Sequence, residues 1–150
     1  MATSNVDITN ISGTALSWDK LAAILARSRG RMTVFIDACH SGAAGTDFFA
    51  TNDEAAAGIL KNIPSGLTVM SASKGRELSE ESPDIGGGYF TKAVAEVISG
   101  SRSEYDTNRN GAIEVSELYR GVKRQVTTNT NGRQTPWLAR NQMIGDFAVF

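Results

Sequence analysis

Apolar residues recur along this chain at two spacings that alternate. After Ser17, the residues Trp18, Leu21, Ile24 and Leu25 fall at helical spacing and the stretch ends in Arg27, Arg29 and Gly30, which predicts a helix capped by Ser17. It runs directly into a strand, Met32 to Ala38, built on the apolar run Val34, Phe35, Ile36. Gly42 to Thr51 reads as loop, and Asn52 caps a short helix through Leu60. Pro64-Ser65-Gly66 then punctuates before a second strand, Leu67 to Ser71. Lys74 to Gly88 is polar and ends in three glycines, the composition of a loop with mobility built in. Phe90, Val94, Val97 and Ile98 share one helical face, and Val115, Leu118, Tyr119, Val122 and Val126 share another. Phe147, Val149 and Phe150 predict a last strand over Gly145 to Phe150. Helix alternating with strand implies an α/β fold with a mostly parallel sheet and flanking helices. No internal repeat or low-complexity tract interrupts it.

With 150 residues the chain is long enough for a single domain with a real core. Its 15 basic and 16 acidic residues nearly cancel. No stretch gathers the roughly five like charges of a nucleic-acid arm or polybasic anchor, so neither nucleic acid nor membrane is indicated as a partner. The amino terminus MATSNVDITN is polar, and no segment approaches the ~20 apolar residues of a spanning helix. The expectation is a soluble, unexported, cytoplasmic protein. One cysteine allows neither a disulfide framework nor a cysteine-based zinc site.

That cysteine, Cys39, stands where the first strand must turn. Asp37 breaks the apolar run two residues earlier, and Ser41 and Gly42 follow at once. A strand ending in small and polar residues places its last side chains at a sheet edge, where α/β proteins build their sites. A buried, inert cysteine is the alternative, and the residues alone leave both open. A nucleophilic thiol needs a base, and the one histidine is His40. Consecutive side chains of an extended segment leave on opposite faces, so His40 is poorly placed to take the proton from Cys39. Asp37 alternates with Cys39 and can share its side of the sheet, where a carboxylate favours a basic guest. A strand-end aspartate accepting backbone N–H bonds is the alternative. Ser71, at the end of the second strand, is a further pocket candidate.

The segment IDACHSG resembles the nucleophile motif of the caspase-like cysteine peptidases, in particular their bacterial and metacaspase branch. TALSWDKLAAIL resembles the helix before the nucleophile strand, GLTVMSAS the next strand, and GGGYFTKAVAEVI the helix after the specificity loop. DTNRNGAIEVSELY and GRQTPWL resemble the tail of bacterial members, so the likeness extends from about Gly13 onward. It implies a caspase-like three-layer sandwich, here partial, with Cys39 as nucleophile in acyl transfer and Asp37 selecting arginine or lysine before the cleaved bond of a protein or peptide substrate. The family's base lies in a Ser-Gly-His-Gly type motif on an earlier strand, whereas Ile11-Ser12-Gly13-Thr14 shares only Ser-Gly with it. The resemblance therefore implies either a missing amino-terminal segment or partner chain that supplies the histidine, leaving the lone chain inactive, or a variant without its base. In the second case the chain is a non-catalytic interaction or calcium-binding module. Between His40 and Leu60 there is no lysine or arginine, so basic selectivity predicts self-processing in the region Lys74 to Glu77.

Asp106, Asn108, Asn110, Gly111 and Glu117 match positions one, three, five, six and twelve of a calcium loop, with Ile113 at the eighth. Alternating oxygen side chains would converge on Ca2+, Ala112 would offer its carbonyl, and Glu117 would close the shell. Against this, Gly100 and polar residues precede the loop in place of a packed helix, no second hand is present, and two asparagines lower its charge. A cation-free loop of Asx-turns capping the helix at Val115 is the other reading.

Overall fold

The two apolar runs pair side by side. In the computed structural model, which describes residues 5–7, 9–28, 30–37, 52–61, 66–75, 77–140 and 145–150, β1 (Met32–Ile36) lies parallel to β2 (Leu67–Ser71), with Met32 opposite Leu67 and Ile36 opposite Ser71. The fully buried β2 is the central strand of three. On its other side β5 (Trp137–Arg140) runs antiparallel, with Trp137 opposite Ser71. The sheet is thus mixed where a mostly parallel one is expected. The reason lies in the connections: β1 and β2 are joined through one helix, α3 (Asn52–Lys61), whereas two long helices, α4 (Tyr89–Ser99) and α6 (Val115–Asn129), separate β2 from β5. One helix returns the chain for a parallel strand, and a second reverses it again.

Alternation along the strands sorts the core into two sides. Met32, Val34, Ile36, Leu67, Val69 and Trp137 face α2 (Trp18–Leu25) and α3, packing with Leu21, Leu25, Ala56, Ile59 and Leu60. Met70, Ala72 and Leu138 face α4 and α6, packing with Phe90, Ala93, Val97, Leu118, Val122 and Val126. Helices on both sides of a sheet make the three-layer α/β sandwich. Ser17 caps α2 as expected, its side chain accepting from the Lys20 N–H. Phe90 is essentially sealed in the second core, where truncation to alanine would cost about 3–5 kcal/mol.

The carboxyl-terminal residues depart from expectation. Residues 145–150 form no strand of the sheet; they make one antiparallel bridge, Ala148 to Glu114. There the Val149 N–H donates to the Ile113 carbonyl at 2.7 Å and the Ile113 N–H to the Phe150 carbonyl at 2.9 Å. The central strand's second neighbour is instead Trp137–Arg140, a segment too short and too mixed to show a period-2 pattern. Three short elements also escape the sequence pattern: the turns α1 (Ile11–Thr14) and α5 (Arg102–Tyr105), and a hairpin of β3 (Glu81–Ser82) with β4 (Gly87–Gly88). α5 places Tyr105, buried, between α4 and α6, where Gly121 makes room: a Cβ on Gly121 would lie 2.9 Å from the Tyr105 ring. A packed helical turn therefore does precede the Asp106 loop. No helix among the described residues is long and apolar enough to cross a membrane.

Candidate active site

The end of β1 and the start of α4 meet at Asp37. Pairing continues one step past the strands, the Ala72 N–H donating to the Ile36 carbonyl at 2.8 Å, so Asp37 leaves the sheet in a defined direction. By alternation it lies on the side of Phe35, whose ring meets Phe90 of α4 at 6.5 Å between centroids and an angle of 52°. That contact brings the first turn of α4 to the strand end. The Thr91 hydroxyl donates to Asp37 Oδ2 at 2.5 Å. Gly88, the N-cap of α4, has no side chain to cap the helix, and a Cβ there would lie 2.8 Å from Oδ2. The carboxylate thus occupies space at the positive end of an 11-residue helix, where negative charge is favoured. It is exposed to solvent.

Cys39 and His40 lie outside the described residues. Ser71 does not join Asp37. It is fully buried, pairs across the sheet with Ile36 and Trp137, and so faces α2 and α3, on the opposite side from Asp37. Its hydroxyl donates to the Ser73 carbonyl at 3.1 Å. A serine at a strand end is compatible with either face, and only the register decides which.

The segment after β2 is held by residues that carry no sequence signal for the task. Gln134, fully buried, donates from Nε2 to the Ala72 carbonyl at 2.9 Å and accepts the Glu80 N–H on Oε1 at 2.8 Å. Glu77 Oε2 accepts the Thr135 N–H at 2.6 Å, and Arg133 grips Glu80 through Nε at 2.6 Å and Nη2 at 2.8 Å. The guanidinium beside it holds the Glu80 carboxyl below its ordinary value. From Glu77 to Glu80 the expected mobile loop is therefore tethered to 133–135. Of the expected processing region, Lys74 is exposed, Arg76 lies outside the described residues, and Glu77 is tied down. Nothing in the spacing of a glutamine directly before a Thr-Pro pair names a partner 54 or 62 residues away.

The Asp106–Glu117 loop closes on its own donors. Asp106 accepts the Asn110 and Gly111 N–H groups, Asn108 Oδ1 accepts the Asn110 N–H, and Asn110 Oδ1 the Ala112 N–H. Glu117, 3% exposed, takes the Thr107 N–H and hydroxyl and the Asn108 N–H on Oε1, and the Glu114 N–H on Oε2. Burial pushes its carboxyl up, and these donors outweigh burial, so the net shift is downward. Arg109 and Gly111 adopt the left-handed conformation at φ 60° and 86°. Among the described residues no group of three or more His, Cys, Asp or Glu side chains could hold a metal ion. The loop is joined to the rest through buried Ile113, which packs in the second core, through Arg102 of α5, whose Nη1 donates to the Gly111 carbonyl at 2.9 Å, and through α6 and the Ala148 bridge.

A family model described as the caspase domain matches residues 4–148. No match is found among curated proteins or among solved structures.

Proposed function

We propose that this chain, which belongs to the caspase family of cysteine peptidases, carries the nucleophile and the selecting carboxylate of a metacaspase-like endopeptidase that cuts proteins or peptides after arginine or lysine. The observation that supports basic selectivity is the Asp37 carboxylate: exposed, at the tip of the strand that leads into Cys39, and without an ion pair among the described residues. A guanidinium or ammonium guest would supply a counter-charge.

In the proposed reaction the Cys39 thiolate adds to the scissile carbonyl, and the tetrahedral intermediate collapses to a thioester. The amine leaves with a proton from an imidazolium, and water then attacks the thioester, releasing the acid and restoring the thiol. His40 directly follows the nucleophile in sequence, and consecutive side chains of an extended segment would leave on opposite faces. We therefore assign the imidazole to a segment or partner chain outside these 150 residues and expect the lone chain to be inactive. The test is hydrolysis of an arginyl fluorogenic peptide. The lone chain should not turn it over, and supplying the histidine-bearing part should give activity that Cys39→Ala abolishes. Turnover by the lone chain, lost on His40→Ala, would overturn the assignment of the base.

A second reading, a non-catalytic module that binds calcium or a protein partner, is supported by the Asp106 loop. Asp106, Asn108 and Asn110 are in the alternating positions of a calcium loop, with the Ala112 carbonyl and the buried Glu117 as the remaining oxygen donors. Resident amide donors already meet those oxygens, so a cation would have to displace them from Glu117.

A further inference from the structure

We infer that Thr91 is the positioning residue for the Asp37 carboxylate, and that Gly88 keeps the space it needs, so that together they set the selectivity for a cationic side chain; this rests on the reading of Asp37 as the selecting carboxylate. Three observations converge on it. The Thr91 hydroxyl donates to Oδ2 at 2.5 Å, and among the described residues Oδ1 receives no donor. The residue that restrains Asp37 is neutral. Arg133 on Glu80 and Arg140 on Asp146 show that this chain does use arginines to restrain carboxylates, but such a partner at Asp37 would cancel the charge that a substrate guanidinium must meet.

The third observation concerns the competing position. Asp37 faces the first turn of α4, whose N-cap is a glycine with no oxygen to offer. The Tyr89 N–H of that turn already donates to the Glu80 carbonyl at 3.1 Å, but a carboxylate free to rotate would settle onto the N–H groups that follow it and be lost to the substrate. Thr91, from the third position of the same helix, holds it by a side-chain hydroxyl instead. Gly88 completes the arrangement, since a methyl group there would press on Oδ2 from 2.8 Å and push the carboxylate from its place.

The experiment is an NMR titration of the full chain with agmatine, a free guanidinium probe, for wild type, Asp37→Asn, Thr91→Val, Thr91→Ser and Gly88→Ala, with circular dichroism checking that each variant is folded. Wild type should bind. Asp37→Asn should abolish binding, Thr91→Val and Gly88→Ala should each weaken it about tenfold, and Thr91→Ser should stay near wild type, as expected for a hydrogen bond to a charged group. If Asp37→Asn abolishes binding while Thr91→Val and Gly88→Ala both match wild type, the positioning role is wrong and the pocket stands. No binding by wild type, or unchanged binding by Asp37→Asn, removes the pocket and the inference together. Thr91 is exposed, so its variants do not disturb the core, and Gly88→Ala tests the same claim without touching the hydroxyl.

Discussion

Gln134 and Ala72 are 62 residues apart in the chain, and a 2.9 Å hydrogen bond from the Gln134 side chain to the Ala72 carbonyl joins them in a place sealed from water. The other end of the same amide takes the Glu80 N–H, so one side chain satisfies two backbone groups on either side of the segment that follows β2. Replacing Gln134 with alanine would leave a buried carbonyl unpaired. The expected loss is about 1–3 kcal/mol, seen as a lower midpoint in urea unfolding without a change in slope. A variant as stable as wild type would show that water replaces the amide.

Gly121 and Tyr105 offer a packing test. A methyl group at Gly121 would sit 2.9 Å from the Tyr105 ring and 3.1 Å from the Val97 side chain, both buried in the second core. Gly121→Ala should destabilise by about 1–3 kcal/mol through overpacking. In a double-mutant cycle with Tyr105→Ala the two losses should be strongly non-additive, because removing the ring makes room for the methyl.

Stability should fall in acid for a traceable reason. Glu80 and Glu117 both have carboxyls held below the ordinary 4.5, Glu80 by Arg133 and Glu117 by loop donors that outweigh its burial. A depressed carboxyl contributes stability in full above its unfolded value, and that contribution is lost as pH falls through the folded one. Unfolding free energy should therefore be flat above pH 4.5 as far as these two groups are concerned and decline below it. Glu80→Gln and Glu117→Gln should each flatten the decline. Denaturant titrations across that pH range read it directly.

Calcium binding by the Asp106 loop predicts heat in a calorimetric titration at millimolar or lower calcium, lost in Asp106→Ala. No heat at millimolar calcium would end that reading and leave the loop as a capped turn.

Self-processing, if basic selectivity governs it, should cut after Lys74 or Arg76 in the assembled peptidase. Mass spectrometry of the products decides, and cleavage after Asp47 or Asp53 would overturn the selectivity proposed for Asp37.

Much of this protein was legible from local pattern. Helical spacing at Leu21, Ile24 and Leu25 and at Leu118, Val122 and Val126 places α2 and α6, and the runs Val34–Ile36 and Leu67–Ser71 place the paired strands. IDACHSG names the family that the match over 4–148 establishes. These signals are local because helix and strand periodicity, caps and a nucleophile turn are properties of a few neighbouring residues. What the tertiary structure alone decided is everything that depends on distant segments meeting. Trp137–Arg140 became the third strand because a second helix reversed the chain. The tail docked beside Glu114 because the Ile113 N–H and C=O and the Val115 N–H met its backbone there, not at the sheet. Ser71 was turned away from Asp37 by strand register, and Thr91, Gly88 and Gln134 acquired their roles from contacts that no spacing along the sequence encodes.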